Sequence, residues 1–123
     1  MAKTTARYDR GESIFGQGDA ADHVLYVQTG GVKLSVLSKA GKEAVVGMLS
    51  AGDFCGEGCL AGQTMRMGTA TTVLPTVVLR IPSVAMQKLL HEHGDFSERF
   101  LSHILSRNIR IEEDLVDQLF NSS

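Results

Sequence analysis

Gly56-Glu57-Gly58-Cys59-Leu60-Ala61-Gly62-Gln63-Thr64-Met65-Arg66-Met67-Gly68-Thr69-Ala70 is the stretch on which the reading of this chain turns. Glycines at 56, 58, 62 and 68 allow sharp backbone turns and bring bare N–H groups close to an anion. A short helical turn after Gly56 would add its positive end. Arg66 supplies a cation nine positions after the carboxylate of Glu57. An arginine fork grips a phosphate through charge-assisted hydrogen bonds worth about 1.5–3 kcal/mol each, whereas a carboxylate only accepts, which suits it to a sugar hydroxyl. On residue chemistry alone, the same pattern also fits a glycine-rich turn carrying a surface ion pair.

The flanking segments place this stretch in a β framework. From Thr4 to Ile81 short apolar runs are broken by glycines at close intervals, as in antiparallel strands joined by tight turns. Val24, Leu25, Tyr26 and Val27 fill alternate faces of a strand that stops at Gly30-Gly31. Val32, Leu34 and Val36 alternate on the next, which predicts that the pair forms a hairpin. Lys39-Ala40-Gly41-Lys42 marks a turn before an extended run from Glu43 to Leu49, and Gly52-Asp53 marks another. Thr69 to Val73 and Thr76 to Ile81, bounded by Pro75 and Pro82, read as closing strands.

Beyond Pro82 the apolar period lengthens to that of a helix. Val84, Leu89 and Leu90 are expected to lie in a short helix over 83–93, capped by Ser83 and stopped by Gly94. Asp95 is expected to cap a longer helix over 95–121, whose apolar face runs from Phe96, Phe100, Leu101, Ile104 and Leu105 to Leu119 and Phe120. A face of about seven turns is more than a small β domain covers. Its distal half is therefore expected to pack against a second copy in a parallel homodimer, or against a neighbouring domain.

Composition narrows the function classes. The 123 residues suffice for one compact core, and 43% hydrophobic with 21% charged residues describes a globular chain rather than a disordered or fibrous one. A net charge of −2 leaves no basic surplus to neutralise a run of phosphates, so nucleic-acid binding is not expected of this chain itself. No apolar stretch approaches the roughly 20 residues that span a bilayer, and Met1 to Arg10 lacks the apolar segment of a secretory signal. The protein is accordingly expected to be cytoplasmic, with no membrane partner. Cys55 and Cys59 are too few for a zinc or iron–sulfur site from one chain and are read as reduced, packed thiols. His91 and His93 sit at a helix end and lack the glutamate and distal histidine of a cupin metal site, so neither a metal nor an enzymatic role is expected. Met48, Met65, Met67 and Met86 are read as core or pocket fillers.

Tyr8-Asp9-Arg10-Gly11-Glu12-Ser13-Ile14-Phe15-Gly16-Gln17-Gly18-Asp19, Leu25-Tyr26-Val27, Gly31-Val32-Lys33-Leu34 and Gly52-Asp53-Phe54 all precede the glycine-rich cassette. Together with it they resemble the sensor domain of the Crp/Fnr family of bacterial transcription regulators. The superfamily also includes cyclic-nucleotide-gated channels and the regulatory subunit of protein kinase A. The resemblance covers the whole chain. It implies a mainly β fold with α: a jelly-roll-like, cyclic-nucleotide-binding β-roll over 1–82, then the short helix and the long C-terminal dimerisation helix. It assigns the ribose 2′-hydroxyl to Glu57 and the cyclic phosphate to Arg66. Gly56, Gly58, Cys59, Leu60, Met67, Gly68 and Thr69 then complete the ligand site, with backbone amides near Gly56 and Met67 assisting. The tail Arg107-Asn108-Ile109-Arg110 and Asp114 to Ser123 resembles the end of the family's central helix. A DNA-binding helix-turn-helix half is therefore expected outside this chain.

Departures from the family pattern bear on the ligand. Met67 stands where relatives carry a small residue, and Gly58 and Cys59 replace residues that are more often leucine and alanine or glycine. Registering the long helix on Leu119 places Glu112 and Glu113 where the bacterial cyclic-AMP receptor meets the purine with a threonine–serine pair. A carboxylate matches the two donors on guanine's pairing edge better than it matches adenine, so cGMP stands beside cAMP as the expected effector. Two functions follow. One is a sensor in which ligand bound between roll and long helix shifts dimer geometry and thereby DNA binding. The other is a dimerisation or interaction module whose cassette is an empty turn.

Overall fold

The computed structural model describes residues 3–106, which fall into two compact units divided between Gln87 and Lys88. The first unit holds strands β1 (Thr4–Tyr8), β2 (Ser13–Phe15), β3 (His23–Thr29), β4 (Gly31–Leu37), β5 (Glu43–Ser50), β6 (Phe54–Cys55), β7 (Thr69–Thr72) and β8 (Thr76–Pro82). They form two four-stranded antiparallel sheets, ordered β1-β8-β3-β6 and β2-β7-β4-β5. The expected mainly β roll is present.

The alternation read in the sequence builds its core. Leu25, Val27, Cys55 and Val78 from one sheet meet Val32, Leu49 and Ala70 from the other, with Tyr8, Ile14, Phe15 and Leu34 packed around them. Full burial of a Val or Leu side chain stabilises by about 1.5–3 kcal/mol, so this cluster is what holds the sheets face to face.

The strands on either side of Gly30 do not form the expected hairpin. β3 pairs with β8 and β6, whereas β4 pairs with β5 and β7, so the chain passes from one sheet to the other at this point. Gly30 has φ 104°, and a Cβ there would lie 2.6 Å from the Pro75 carbonyl oxygen. The passage from β7 to β8 therefore runs directly against that from β3 to β4. Thr76 ties the two together: its Oγ1 lies 2.7 Å from the Leu74 carbonyl and 3.2 Å from that of Gly31. A Gly-Gly pair between alternating runs signals a reversal, but alternation does not say which strand is the partner. The hairpin that does form is β4–β5, closed by Gly41 N–H donating to the Ser38 carbonyl at 3.0 Å.

Helix α1 (Ser83–Glu92) opens with Ser83, whose N–H donates to the Asp22 carbonyl at 2.9 Å. Val84 is 78% exposed, and the fully buried residue is Met86, one of the methionines read as fillers. Met86, Leu89 and Leu90 have the i, i+3, i+4 spacing of one stripe, with which Val84 is out of phase. Met48, Met65 and Met67 are exposed rather than core fillers.

In the second unit, helix α2 occupies residues 94–106. Gly94 does not stop α1 in a left-handed cap and Asp95 is not the cap of α2. Ser97 N–H already donates to the His93 carbonyl at 3.0 Å, so His93 is the boundary and Asp95 lies inside the first turn. There its charge favours the helix N-terminus. Phe96 and Phe100 lie one turn apart with ring centroids at 6.4 Å. The remainder of the expected long helix, with Glu112, Glu113 and the dimer face beyond Ile109, lies outside the described residues.

Candidate functional site

The cassette begins where β6 ends. Gly56 takes φ 76°, a left-handed conformation costly for any residue with a side chain, and so turns the chain into a short 3-10 helix over Glu57–Ala61. Gly62, at φ 92°, ends that helix. The other two glycines provide space instead. A Cβ on Gly58 would lie 2.6 Å from Gln63 Oε1, and one on Gly68 would lie 2.6 Å from the Ser35 carbonyl.

Arg66 returns to this turn from the far side. Its Nη1 donates to the Gly56 carbonyl at 3.0 Å and its Nη2 to the His23 carbonyl at 2.7 Å, and its guanidinium carbon stands 4.4 Å from the centre of the Phe15 ring. A cation over an aromatic face is worth about 0.5–2 kcal/mol, more where water is excluded. Arg66 is only 5% exposed. A Cβ on Gly56 would sit 2.5 Å from Nη1, so a glycine at 56 is what lets the arginine approach. A guanidinium has five N–H donors. Two bonds to carbonyls engage Arg66, and its Nε is buried without a partner among the described residues.

The expected site residues divide into those gathered here and those that are not. Gly56 and Arg66 are in contact. Cys59 is buried, and its Sγ lies 3.2 Å from the same Gly56 carbonyl that Arg66 reaches. Glu57 opens the short helix and Leu60 lies within it, both half-buried. Thr69 Oγ1 accepts from Gln17 N–H at 3.0 Å and is thereby tied to the β2–β3 connection. Met67 points outward, 69% exposed. Both cysteines are buried and unbridged. Among the described residues no group of three or more His, Cys, Asp or Glu gathers as a metal site, and no helix is long and apolar enough to cross a membrane.

Sequence reasoning did not find Phe15, the His23 carbonyl or the Gly16–Asp19 turn as parts of the site. Gly18 N–H donates to the Arg66 carbonyl at 2.8 Å, and Arg66 N–H to the Asp19 carbonyl at 2.8 Å. Gly-Gln-Gly-Asp is a recognisable turn composition, but a carbonyl such as that of His23 is carried by every residue and leaves no signature. Next to it, Asp22 Oδ1 lies 2.8 Å from His23 Nδ1. That hydrogen bond, with lesser help from the charges of His23 and Arg66, holds the Asp22 carboxyl below its ordinary value despite some desolvation.

Residues 5–93 match the cyclic nucleotide-binding domain family. A global nitrogen regulator of Synechocystis is 32% identical over 91% of this chain and 51% of its own length. A CRP-like cAMP-activated global transcriptional regulator of Mycobacterium tuberculosis is 23% identical over 92% of this chain and 50% of its own. The crystal structure of the Thermus thermophilus catabolite activator protein matches with a TM-score of 0.78 at 26% identity, over 95% of this chain and 55% of that one. The chain thus spans about half the length of these relatives.

Proposed function

The chain belongs to the cyclic nucleotide-binding domain family, and from that premise we propose that it is the effector-sensing half of a bacterial transcription regulator responding to cAMP or cGMP. Arg66 carries the reading. A guanidinium 5% exposed with a partnerless Nε is a costly arrangement for a fold to keep, and a phosphate would complete it. The bonds to Gly56 and His23 anchor one end of the fork, leaving Nε and the remaining Nη hydrogens for an anion. Glu57, the residue after Gly56, takes the ribose hydroxyl. Gly58, Cys59, Leu60, Gly68 and Thr69 shape the cradle, Met67 lies at its rim, and Glu112 and Glu113 select the base.

The names of the relatives support the regulatory half of the reading, since one is a cAMP-activated transcriptional regulator and another a global nitrogen regulator. In a protein of their length the missing half would contact DNA. Two copies joined through the C-terminal helix would carry the effector signal to it in the cytoplasm.

A thermal-shift measurement tests the proposal. At a hundredfold excess over Kd, a ligand that binds only the folded state stabilises it by about 2.7 kcal/mol, which raises Tm on the order of 10 °C for a chain of this size. We expect that rise with cAMP or cGMP in the wild type and none in Arg66→Ala. A wild-type Tm indifferent to both nucleotides refutes ligand binding.

A further inference from the structure

Gln17 stands in the connection between β2 and β3, outside the cassette, and ties separate segments together. Its backbone N–H donates to Thr69 Oγ1 at 3.0 Å. Its side-chain Oε1 accepts from Leu37 N–H at 2.8 Å, while its Nε2 donates to the Leu37 carbonyl at 3.3 Å. The carboxamide therefore acts as a peptide group would, taking up both polar groups of the last residue of β4.

The turn held in this way is the one that carries Arg66. Gly18 and Asp19, the next two residues, make both main-chain hydrogen bonds of Arg66, each at 2.8 Å. Asp19 Oδ2 closes the turn by accepting from Gly16 N–H at 2.8 Å. Gln17 is exposed, so core packing does not account for its arrangement. Ordering a glutamine side chain also opposes the fold through lost rotamer freedom. What the clasp controls is the place from which the Arg66 side chain departs.

We infer that Gln17 is a positioning residue for the effector. Its clasp on Leu37 holds the Gly16–Asp19 turn, and through Gly18 and Asp19 the main chain of Arg66, where the guanidinium meets the phosphate. This rests on the reading of Arg66 as the phosphate ligand.

Gln17→Met keeps the length and bulk of the side chain and removes both of its bonds. In the free protein, amide hydrogen exchange at Gly18 and Arg66 accelerates about tenfold, the equivalent of about 1.4 kcal/mol. Exchange at Val27, whose N–H donates to the Asp53 carbonyl at 2.9 Å, stays as in the wild type. With cAMP or cGMP the Kd rises about tenfold, but by less than about twofold when Arg66 is already replaced in Arg66→Lys, because the two residues act as one unit. Gln17→Glu, which keeps the acceptor for Leu37 N–H, recovers part of the lost affinity. Unchanged exchange at Gly18 and Arg66 overturns the inference, as does an equal loss of affinity in both backgrounds. Exchange is read without ligand, so failure of the wild type to bind any cyclic nucleotide would count against the effector while exchange still judged the clasp.

Discussion

At two places in the roll a left-handed glycine lies against a distant side chain, Gly30 against Thr76 and Gly56 against Arg66, and the two contacts are completed differently. The Thr76 hydroxyl is saturated. Its one hydrogen is shared between the carbonyls of Leu74 and Gly31, and its oxygen accepts from Gly31 N–H at 3.3 Å. Arg66 is also buried but incomplete, its Nε without a partner among the described residues. An unmet buried donor costs about 1–3 kcal/mol, which a purely structural contact has no reason to retain. The corner at Gly30 belongs to the fold. On the proposed function, the turn at Gly56 belongs to the ligand.

Substitutions at the two glycines should separate these roles. Gly30→Ala forces a side chain into a positive-φ position and against the backbone of Pro75 and Thr76, which has nowhere to move. It is expected to destabilise by about 3 kcal/mol or more, measured by denaturant unfolding. A loss under about 1 kcal/mol would mean that the two crossings can slide apart and that the corner is not rigid. Gly56→Ala meets chiefly the end of the Arg66 side chain, with the His23 carbonyl at 3.2 Å, so its stability cost should be smaller than that of Gly30→Ala, about 2 kcal/mol, from the left-handed backbone and the displaced arginine. Its larger effect is on binding, because the Cβ displaces Nη1 of Arg66. Cyclic-nucleotide affinity preserved in Gly56→Ala would erase the contrast between the two sites.

How much of this was legible in the sequence follows the same division. Period-two alternation in Val24–Val27 and Val32–Val36 reports which faces are buried, and Leu25, Val27 and Val32 do lie in the core with Leu34 packed against it. It carries no information on pairing, so Gly30-Gly31 read as a hairpin when it is a crossing between sheets. The start of α1 is legible in Pro82 and Ser83, and the reading of Met86 as a filler agrees with its burial, whereas Val84 is exposed. In the cassette, the spacing of Glu57 and Arg66 was readable, and the structure brings Arg66 back to Gly56. The anchoring carbonyls of Gly56 and His23, the Phe15 ring and the Gln17 clasp were not, since backbone acceptors and long-range contacts leave no local pattern.

The smallest expected effect concerns the edge of the site. The Asp22 carboxyl is held below its ordinary value of 3.8, first by the hydrogen bond to His23. Because its folded-state value is the lower one, its contribution to stability is present above the ordinary value and is lost as pH falls through the lowered one. The Asp22 side chain is 69% exposed, so the contribution is small. Asp22→Asn should lower stability slightly at neutral pH and less at pH 3, which flattens the acid limb of the stability–pH curve. A loss of stability at pH 3 equal to or exceeding that at neutral pH would show that the pair acts otherwise than through its charge.

The claim on which the rest depends is that the unpartnered donors of Arg66 take a cyclic phosphate. Titration calorimetry of the wild type and Arg66→Ala with cAMP and cGMP tests it directly. The account predicts one-to-one binding of at least one nucleotide per chain, weakened about a hundredfold or more by Arg66→Ala, as expected from losing charge-assisted bonds of about 1.5–3 kcal/mol each. Equal affinity in both proteins, or no heat with either nucleotide in the wild type, would contradict it.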